Sequence, residues 1–222
     1  MLGQDPWDWR ALWLSGLADL QAMRYADAQA SFNAVYQQVP GELAPKLALA
    51  VACERGGQPD IAESLYSVCA QTDAAYAAPA AFGIARIRAQ RADTRGAVAA
   101  LDLVPSTSRG FGESRRLRAE VLLASAGGSL ATLDQAMKSV DGVRMDTVER
   151  ESFTVKVLER ALALVSAGAP AGGQVGAVAA DERSLRGALE HSYRALAREA
   201  PSQEERVAMV DRANQVRRWS MT

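Results

Sequence analysis

The stretch GLADLQAMRYADAQASFNAVYQQVP, residues 16–40, decides the fold, because its spacing of small and large residues returns twice further along the chain. A step of 34 residues carries its first small residue onto a second set, and a step of 35 carries that set onto a third. Within each set the later members recur at steps of four and three, which places them on one face of a helix. The three sets are Gly16, Ala28, Phe32 and Val35, then Ala50, Ala62, Tyr66 and Cys69, then Ala85, Ala97, Leu101 and Val104.

A period of about 34 residues, with a large residue four positions after the second small one, is typical of tetratricopeptide repeats. The chain is 49% hydrophobic, and much of that fraction is alanine, the best helix former. The sequence therefore predicts an all-α fold, a tetratricopeptide-like α-solenoid of antiparallel helix pairs. Helix start and stop signals indicate about eleven helices.

The chain is expected to have two parts, the second of which continues the helical array of the first. Residues 1–105 should form three tetratricopeptide-like helix pairs, and residues 106–222 should form degenerate helical repeats. The first helix is predicted to open at residues 5–8 (DPWD), which offer an N-cap acceptor, a proline at the first helical position and an acid in the first turn. Pro79 should lie near the start of the fifth helix. Residues 167–178 hold four glycines and one proline, which predicts a loop.

Four later helix starts are marked by polar residues that can accept a hydrogen bond from the first helical turn. These predicted N-caps are Ser129, Asp146, Asp181 and Ser202, with Glu149 and Glu205 placed to complete capping boxes.

The charge balance excludes some classes of partner. With 25 Lys and Arg against 26 Asp and Glu, the formal net charge is −1, so the chain lacks the basic excess that nucleic-acid backbones and anionic membranes attract. No run reaches about 18 apolar residues, and the start lacks a secretory signal pattern. We expect a cytoplasmic protein with no nucleic-acid partner and no direct membrane insertion.

No catalytic, metal-binding or cofactor-binding residue is predicted. His191 is the only histidine and is interpreted as a solvated or capping residue on a helix. Cys53 and Cys69 have neither the paired spacing nor the histidine partner of a zinc site. The glycine clusters at residues 110–112 and 172–176 match no phosphate-binding motif and are interpreted as linkers. The sequence therefore predicts no cofactor.

Tetratricopeptide arrays as a family bind an extended or helical peptide on a concave face lined by the first helix of each pair. When the concave-face positions are counted from Gly16, Ala50 and Ala85, they give an apolar groove with scattered arginines and amides. Its candidate residues are Arg10, Trp13, Leu17, Gln21, Leu47, Val51, Arg55, Phe82, Arg86 and Gln90. The carboxylate clamp of the chaperone-tail-binding members is missing, because Trp13, Leu17, Pro79 and Gly83 stand at its positions.

Three tryptophans, Trp7, Trp9 and Trp13, fall within seven residues of one predicted helix. They cannot all face the core, because Trp7 and Trp9 point to different sides of a helix. Trp7 and Trp9 are therefore candidate contacts with a preceding domain or with a second protomer. The alternative, that they only cover the end of the first repeat, stays open.

Five segments carry a resemblance beyond the repeat, since they lie largely outside its anchors. They are residues 5–10 (DPWDWR), 40–50 (PGELAPKLALA), 104–108 (VPSTS), 189–194 (LEHSYR) and 213–217 (ANQVR). They resemble the C-terminal tetratricopeptide domain of the actinobacterial serine/threonine protein kinase G family. The resemblance covers essentially the whole chain, except residues 218–222.

The resemblance implies a domain that follows a rubredoxin-like module and a kinase domain. Such a domain helps the enzyme to dimerise and presents its substrate, which in the family is a small forkhead-associated regulator of 2-oxoglutarate metabolism. The implied partners are the kinase domain of the same polypeptide, a second copy in a homodimer, and the forkhead-associated protein.

The chain itself lacks the sequence motifs that phosphoryl transfer requires, namely a glycine-rich nucleotide loop, His-Arg-Asp and Asp-Phe-Gly. We therefore expect it not to be the kinase itself. Two alternatives remain open. One is a stand-alone adaptor that binds a peptide or helix in the groove. The other is a small-molecule sensor in which Arg10, Arg55 and Arg86 pair with a carboxylate.

Overall fold

The computed structural model describes residues 8–125, 127, 129–170 and 172–217. Over these residues the chain forms eleven α-helices and one short two-stranded sheet, so the predicted all-α fold is confirmed. The helices are α1 (Trp9–Gln21), α2 (Tyr25–Gln38), α3 (Leu43–Arg55), α4 (Pro59–Thr72), α5 (Ala74–Gln90), α6 (Thr94–Leu101), α7 (Phe111–Ser125), α8 (Leu130–Ser139), α9 (Thr147–Ser166), α10 (Glu182–Glu199) and α11 (Gln203–Val216). None of these helices combines the length and apolar character needed to cross a bilayer.

The chain divides into two compact units, Met1–Ser114 and Arg115–Thr222. In the first unit each helix from α1 to α6 packs against the next one along the chain, which gives three successive pairs. All twelve repeat anchors are buried in this unit. The helices are short, and such helices are marginal alone in water, so burial of these anchors supplies the stability of the pairs.

Two buried glycines, the repeat anchor Gly16 and Gly83, allow close approach of large rings. A Cβ atom added at Gly16 would lie 2.7 Å from the ring of Phe32, and one added at Gly83 would lie 2.3 Å from the ring of Tyr66. Both rings are fully enclosed, with 0% and 1% of their surface exposed. Phe32 of α2 therefore fits against Gly16 of α1 within the first pair, and Tyr66 of α4 fits against Gly83 of α5, the first helix of the next pair. Glycines thus set the helix spacing once within a pair and once between pairs.

Equivalent residues of two successive repeats, Gln29 and Glu63, each connect one helix pair to the next, through different side-chain hydrogen bonds. Gln29, on α2, donates its side-chain amide to the carbonyl oxygen of Ala52 at 3.1 Å, near the end of α3. One repeat later Glu63, on α4, instead accepts from Arg88 at 2.7 Å and from Arg91 at 3.1 Å, at the end of α5. Both arrangements hold the C-terminal end of the next pair's first helix.

The start of the first helix differs from the prediction. Helix α1 begins at Trp9, and Asp8 is its N-cap: its backbone is extended, and its side chain accepts from the backbone amide of Arg10 at 3.0 Å. Asp8 is therefore not an acid of the first turn, because its carboxylate already caps the helix. The other predicted start residues, Asp5, Pro6 and Trp7, lie outside the described residues.

Helix α5 begins earlier than Pro79 suggested. Its N-cap is Asp73, whose side chain accepts from the backbone amide of Ala75 at 2.8 Å, so Pro79 lies inside the helix rather than at its start. A proline at this depth removes one main-chain hydrogen bond. The alanine-rich sequence around it has a strong helix propensity that compensates for this loss.

In the second unit α8 contacts α9, α9 contacts α10, and α10 contacts α11. The four predicted N-caps of these helices are confirmed by side-chain hydrogen bonds to the first turn, and Asp146 with Glu149 forms the full reciprocal capping box. The core of this unit consists of Leu133, Val155, Val157, Leu158, Ala161, Val175, Ala180, Leu185, Leu189, Tyr193 and Ala213.

The glycine-rich segment is not entirely loop. Strands β1 (Gln174–Val175) and β2 (Val178–Ala179) pair in antiparallel register around a two-residue turn. Gly176 in that turn has φ +61°, which favours glycine, and its amide donates to the carboxylate of Asp134 on α8 at 3.0 Å. Val175 is completely buried. The prediction of a loop over residues 167–178 is therefore wrong at residues 174, 175 and 178, which lie in strands. One buried valine and one anchored turn hold this hairpin in place.

Candidate functional site

The ten candidate groove residues lie on α1, α3 and α5, the first helices of the three pairs. Six of them are exposed, namely Arg10, Leu17, Gln21, Arg55, Arg86 and Gln90. The other four are half-buried, namely Trp13, Leu47, Val51 and Phe82. Apart from the exposed Leu17, the apolar side chains are the half-buried ones and the polar side chains are exposed, which is the exposure expected for a groove with an apolar floor and a polar rim. The groove as a binding site remains a prediction.

A buried carboxylate connects α3 with α5 inside this surface. Arg86 donates from Nε and from Nη2 to the two carboxylate oxygens of Glu54, each at 2.9 Å. Tyr66 of α4 donates its hydroxyl to the same carboxylate at 2.7 Å. The side chain of Glu54 is only 9% exposed, against 48% for Arg86. Three helices are thus joined by one ionised group.

The contacts of Glu54 shift the pKa values of the cluster in opposite directions. Burial alone raises the pKa of Glu54, but the hydrogen bonds from Arg86 and Tyr66 outweigh it and leave that pKa below its usual value. Burial and the hydrogen bond to Glu54 raise the pKa of Tyr66. The cluster is therefore a carboxylate with a neutral phenol and a guanidinium at neutral pH.

This cluster bears on the small-molecule sensor hypothesis. Arg86 is already neutralised by Glu54 within the protein. A ligand carboxylate would have to displace that partner and leave a buried carboxylate with fewer hydrogen bonds. Only Arg10 and Arg55 of the three proposed arginines remain, and Arg10 lies over the ring of Trp9 at 5.1 Å. The arrangement disfavours a carboxylate sensor at this surface.

The structure places the tryptophans at an apolar cavity. Trp13 packs edge-on against Phe32, with ring centroids 5.3 Å apart, while Trp9 is 42% exposed. Trp7 lies outside the described residues. The cavity has a volume of about 350 Å³ and is lined by Trp9, Trp13, Val35, Val39, Glu42, Ala44 and Pro45. Its walls come from α1, α2 and the start of α3.

The rim of this cavity is held by a lysine. Lys46 is buried, lies over the ring of Tyr36 at 4.7 Å, and donates to the carbonyl oxygens of Pro40 and Glu42. The turn that carries Glu42 is thereby fixed at the cavity edge. The spacing analysis missed Glu42 and Pro45, because they lie outside the concave positions of the repeat.

The described part of the chain offers no cluster of side chains typical of a metal site. No group of three or more His, Cys, Asp or Glu side chains there is placed to hold a metal ion. Cys53 and Cys69 are both buried thiols, and burial raises the pKa of each. Such thiols are poor nucleophiles.

Comparison with known protein families shows to which family the chain belongs. The family model described as "Protein kinase G tetratricopeptide repeat" matches residues 1–220. The chain belongs to this family. The serine/threonine-protein kinase PknG of Mycobacterium leprae (strain TN) is 34% identical to it over 212 residues, which is 94% of this chain and 28% of the relative. PknG of Mycolicibacterium smegmatis is 34% identical over 217 residues, 96% of this chain and 28% of the relative.

The resemblance read from residues 5–10 and the other four segments is therefore confirmed. The chain spans about 28% of the length of its PknG relatives, and the part it matches is the tetratricopeptide region rather than the kinase domain. The expectation that this kinase G repeat chain does not itself contain the kinase is also confirmed. The mycobacterial relatives are serine/threonine kinases by name.

A solved structure supports the fold alone. The crystal structure of yeast Tom70 aligns with 97% of this kinase G repeat chain and 41% of the Tom70 chain, with a TM-score of 0.54 and 17% sequence identity. At this identity the likeness is one of helix arrangement, and it confirms the predicted solenoid.

Proposed function

We propose that this chain is a non-catalytic interaction and dimerisation domain of a serine/threonine protein kinase. It regulates the kinase and presents the kinase's substrate, a forkhead-associated regulator of 2-oxoglutarate and glutamate metabolism. The observation that carries the proposal is the 34% identity to PknG over 94% to 96% of this chain. Its partners are the kinase domain of the same polypeptide, a second copy of the chain and the forkhead-associated protein, in the cytoplasm.

The surface proposed for the substrate is the groove on α1, α3 and α5. Its exposed apolar residue Leu17 and its half-buried residues Leu47, Val51 and Phe82 supply the apolar contact on which protein recognition depends. The Glu54–Arg86 ion pair fixes α5 against α3, so the groove is preorganised there.

The proposed contact with the kinase domain or with a second copy is at Trp9, together with Trp7. Trp9 is 42% exposed although tryptophan is strongly apolar, and exposed tryptophans are favoured anchors of protein interfaces. The adjoining apolar cavity would accept a bulky side chain from the partner.

Two measurements test the proposal. Light scattering after size exclusion should show a dimer, and calorimetric titration should show binding of the forkhead-associated protein. Leu17→Glu should weaken that titration, because a charge then lies in the groove. Leu14→Glu is the matched control, because Leu14 is also exposed on α1 but is not a groove residue. A strictly monomeric chain that binds neither the substrate nor the kinase domain would contradict the proposal.

A stand-alone adaptor that binds a peptide or helix is the second candidate. The apolar cavity of about 350 Å³ at Trp9 and Trp13 favours it, because its size suits one large side chain of a peptide. The reading frame upstream of Met1 distinguishes the two candidates. An in-frame kinase domain there removes the adaptor.

A further inference from the structure

We propose that the groove between α10 and α11 binds an acidic, extended segment of a partner protein. The groove is an open trough of about 580 Å³. It is lined by His191, Arg194, Ala197, Arg198, Arg206 and Val210. It belongs to the second unit and does not depend on the candidate groove of α1, α3 and α5.

The lining concentrates positive charge without a carboxylate. Three arginines from two helices and the chain's only histidine line the trough, although the net charge of the whole chain is −1. Arg194 is partly neutralised, since it donates to Glu190 at 2.9 Å. Within the described part of the chain, the side chains of Arg198 and Arg206 make no hydrogen bond or ion pair, and the bond from Arg206 to Ser202 comes from its backbone amide. Two guanidinium groups of the trough are thus available to an external anion.

The spacing of the arginines fits an extended chain. Arg194 and Arg198 are one helical turn apart on α10, which places their Cβ atoms about 5–6 Å from each other. Alternate side chains of an extended peptide lie on one face about 6.6–6.8 Å apart. Two acidic residues at positions i and i+2 of a peptide can therefore reach this wall, where one pairs with Arg198 and the other competes with Glu190 for Arg194. The unpaired side chain of Arg206 approaches from α11 on the other wall.

The apolar lining residues and the size of the trough favour a peptide over a small anion. Ala197 and Val210 add apolar surface to the lining of the trough, which an isolated phosphate would not use. Guanidinium groups pair with carboxylates through parallel N–H donors, and this geometry suits Asp and Glu side chains.

Nucleic acids and anionic membranes are poorer matches. Their binding requires a basic stripe on a domain of high isoelectric point, whereas this chain has an isoelectric point of about 5.9. An acidic protein segment needs only the local charge of the trough.

The test uses the full 222-residue chain and fluorescein-labelled peptides. The probe is an octapeptide with Glu and Ser in alternation, and its matched control has Gln in place of Glu. The acidic probe should bind, the Gln probe should not, and binding should weaken as ionic strength rises. The double variant Arg198→Glu/Arg206→Glu should lower the affinity for the acidic probe roughly tenfold, because two attractions become repulsions.

Arg160→Glu is the matched control, since Arg160 is an exposed arginine of the same unit, on α9, outside the trough. Its affinity should stay close to that of the unmodified chain, and circular dichroism should show all variants equally helical. Equal binding of the two peptides, or the same loss with Arg160→Glu, would overturn the proposal. So would preferential binding of phosphatidylserine vesicles or of duplex DNA over the acidic peptide.

Discussion

Arg86 binds both carboxylate oxygens of Glu54, a residue 32 positions earlier in the chain, at 2.9 Å each. The pair joins the first helices of two successive repeats, at the surface where we propose that a partner binds. The ion pair therefore links the stability of the repeat array to the shape of the groove.

Removing the arginine should destabilise the first unit. Arg86→Ala leaves the carboxylate of Glu54, which is 9% exposed, with the hydroxyl of Tyr66 as its remaining hydrogen-bond donor. We expect a loss of about 1–2 kcal/mol in the free energy of unfolding. This is less than a fully buried ion pair would lose, because Arg86 is half-exposed and solvent screens its attraction to Glu54. Denaturant titration followed by tryptophan fluorescence measures the loss. Arg95→Ala is the control, an exposed arginine of α6, and should change the free energy little.

The same carboxylate should give the stability a pH dependence. The pKa of Glu54 is lower in the folded chain than its ordinary value of 4.5, so the unfolded chain takes up the proton first as pH falls. The stability contributed by Glu54 is therefore fully present above pH 4.5 and is lost as pH falls through the lowered folded value. Glu54→Gln should show a flatter decline of unfolding free energy between pH 6 and pH 3 than the unmodified chain. Parallel declines of the two proteins would mean that the carboxylate is not stabilised by its partners.

Glycine at position 83 should be required by the ring of Tyr66. Gly83→Ala places a Cβ atom 2.3 Å from that ring, which cannot move far because it is 99% enclosed by the core. We expect a destabilisation of about 1–2 kcal/mol, although alanine normally favours a helix. Gly41→Ala is the control, because its added Cβ atom meets nothing within 4 Å. A stabilised Gly83→Ala variant would show that the ring can yield.

The parts of the fold that the sequence predicts well are those determined by local or periodic chemistry. The anchors of the first unit recur every 34 or 35 residues because each pair must bury the same face, and Phe32 and Tyr66 are enclosed accordingly. The caps Asp146 and Asp181 are readable because a capping residue and its target amide are three positions apart.

Contacts between helices that are far apart in the sequence cannot be predicted from local or periodic patterns. Glu54 and Arg86 are each ordinary surface residues in the sequence, and only the packing of α5 on α3 brings them together. The strands at residues 174–179 are too short to show an alternating pattern, so Val175 gave no signal of burial. In the same way, Arg198 and Arg206 share a trough only because α11 folds back on α10.

Replacing Gly187 by alanine should raise the stability of the chain, unlike the replacement of Gly83. Gly187 lies within α10, has an ordinary backbone conformation for a helix, and an added Cβ atom would meet nothing within 4 Å. Gly187→Ala should therefore stabilise the second unit by about 0.5–1 kcal/mol, because alanine loses less backbone entropy on folding than glycine does. Thermal unfolding followed by circular dichroism at 222 nm measures the shift, a standard helix signal. Gly176→Ala should act in the other direction, since Gly176 has φ +61° and its added Cβ atom would lie 3.2 Å from Met137. A loss of stability in both variants would mean that α10 has neighbours at Gly187 that the described residues do not supply.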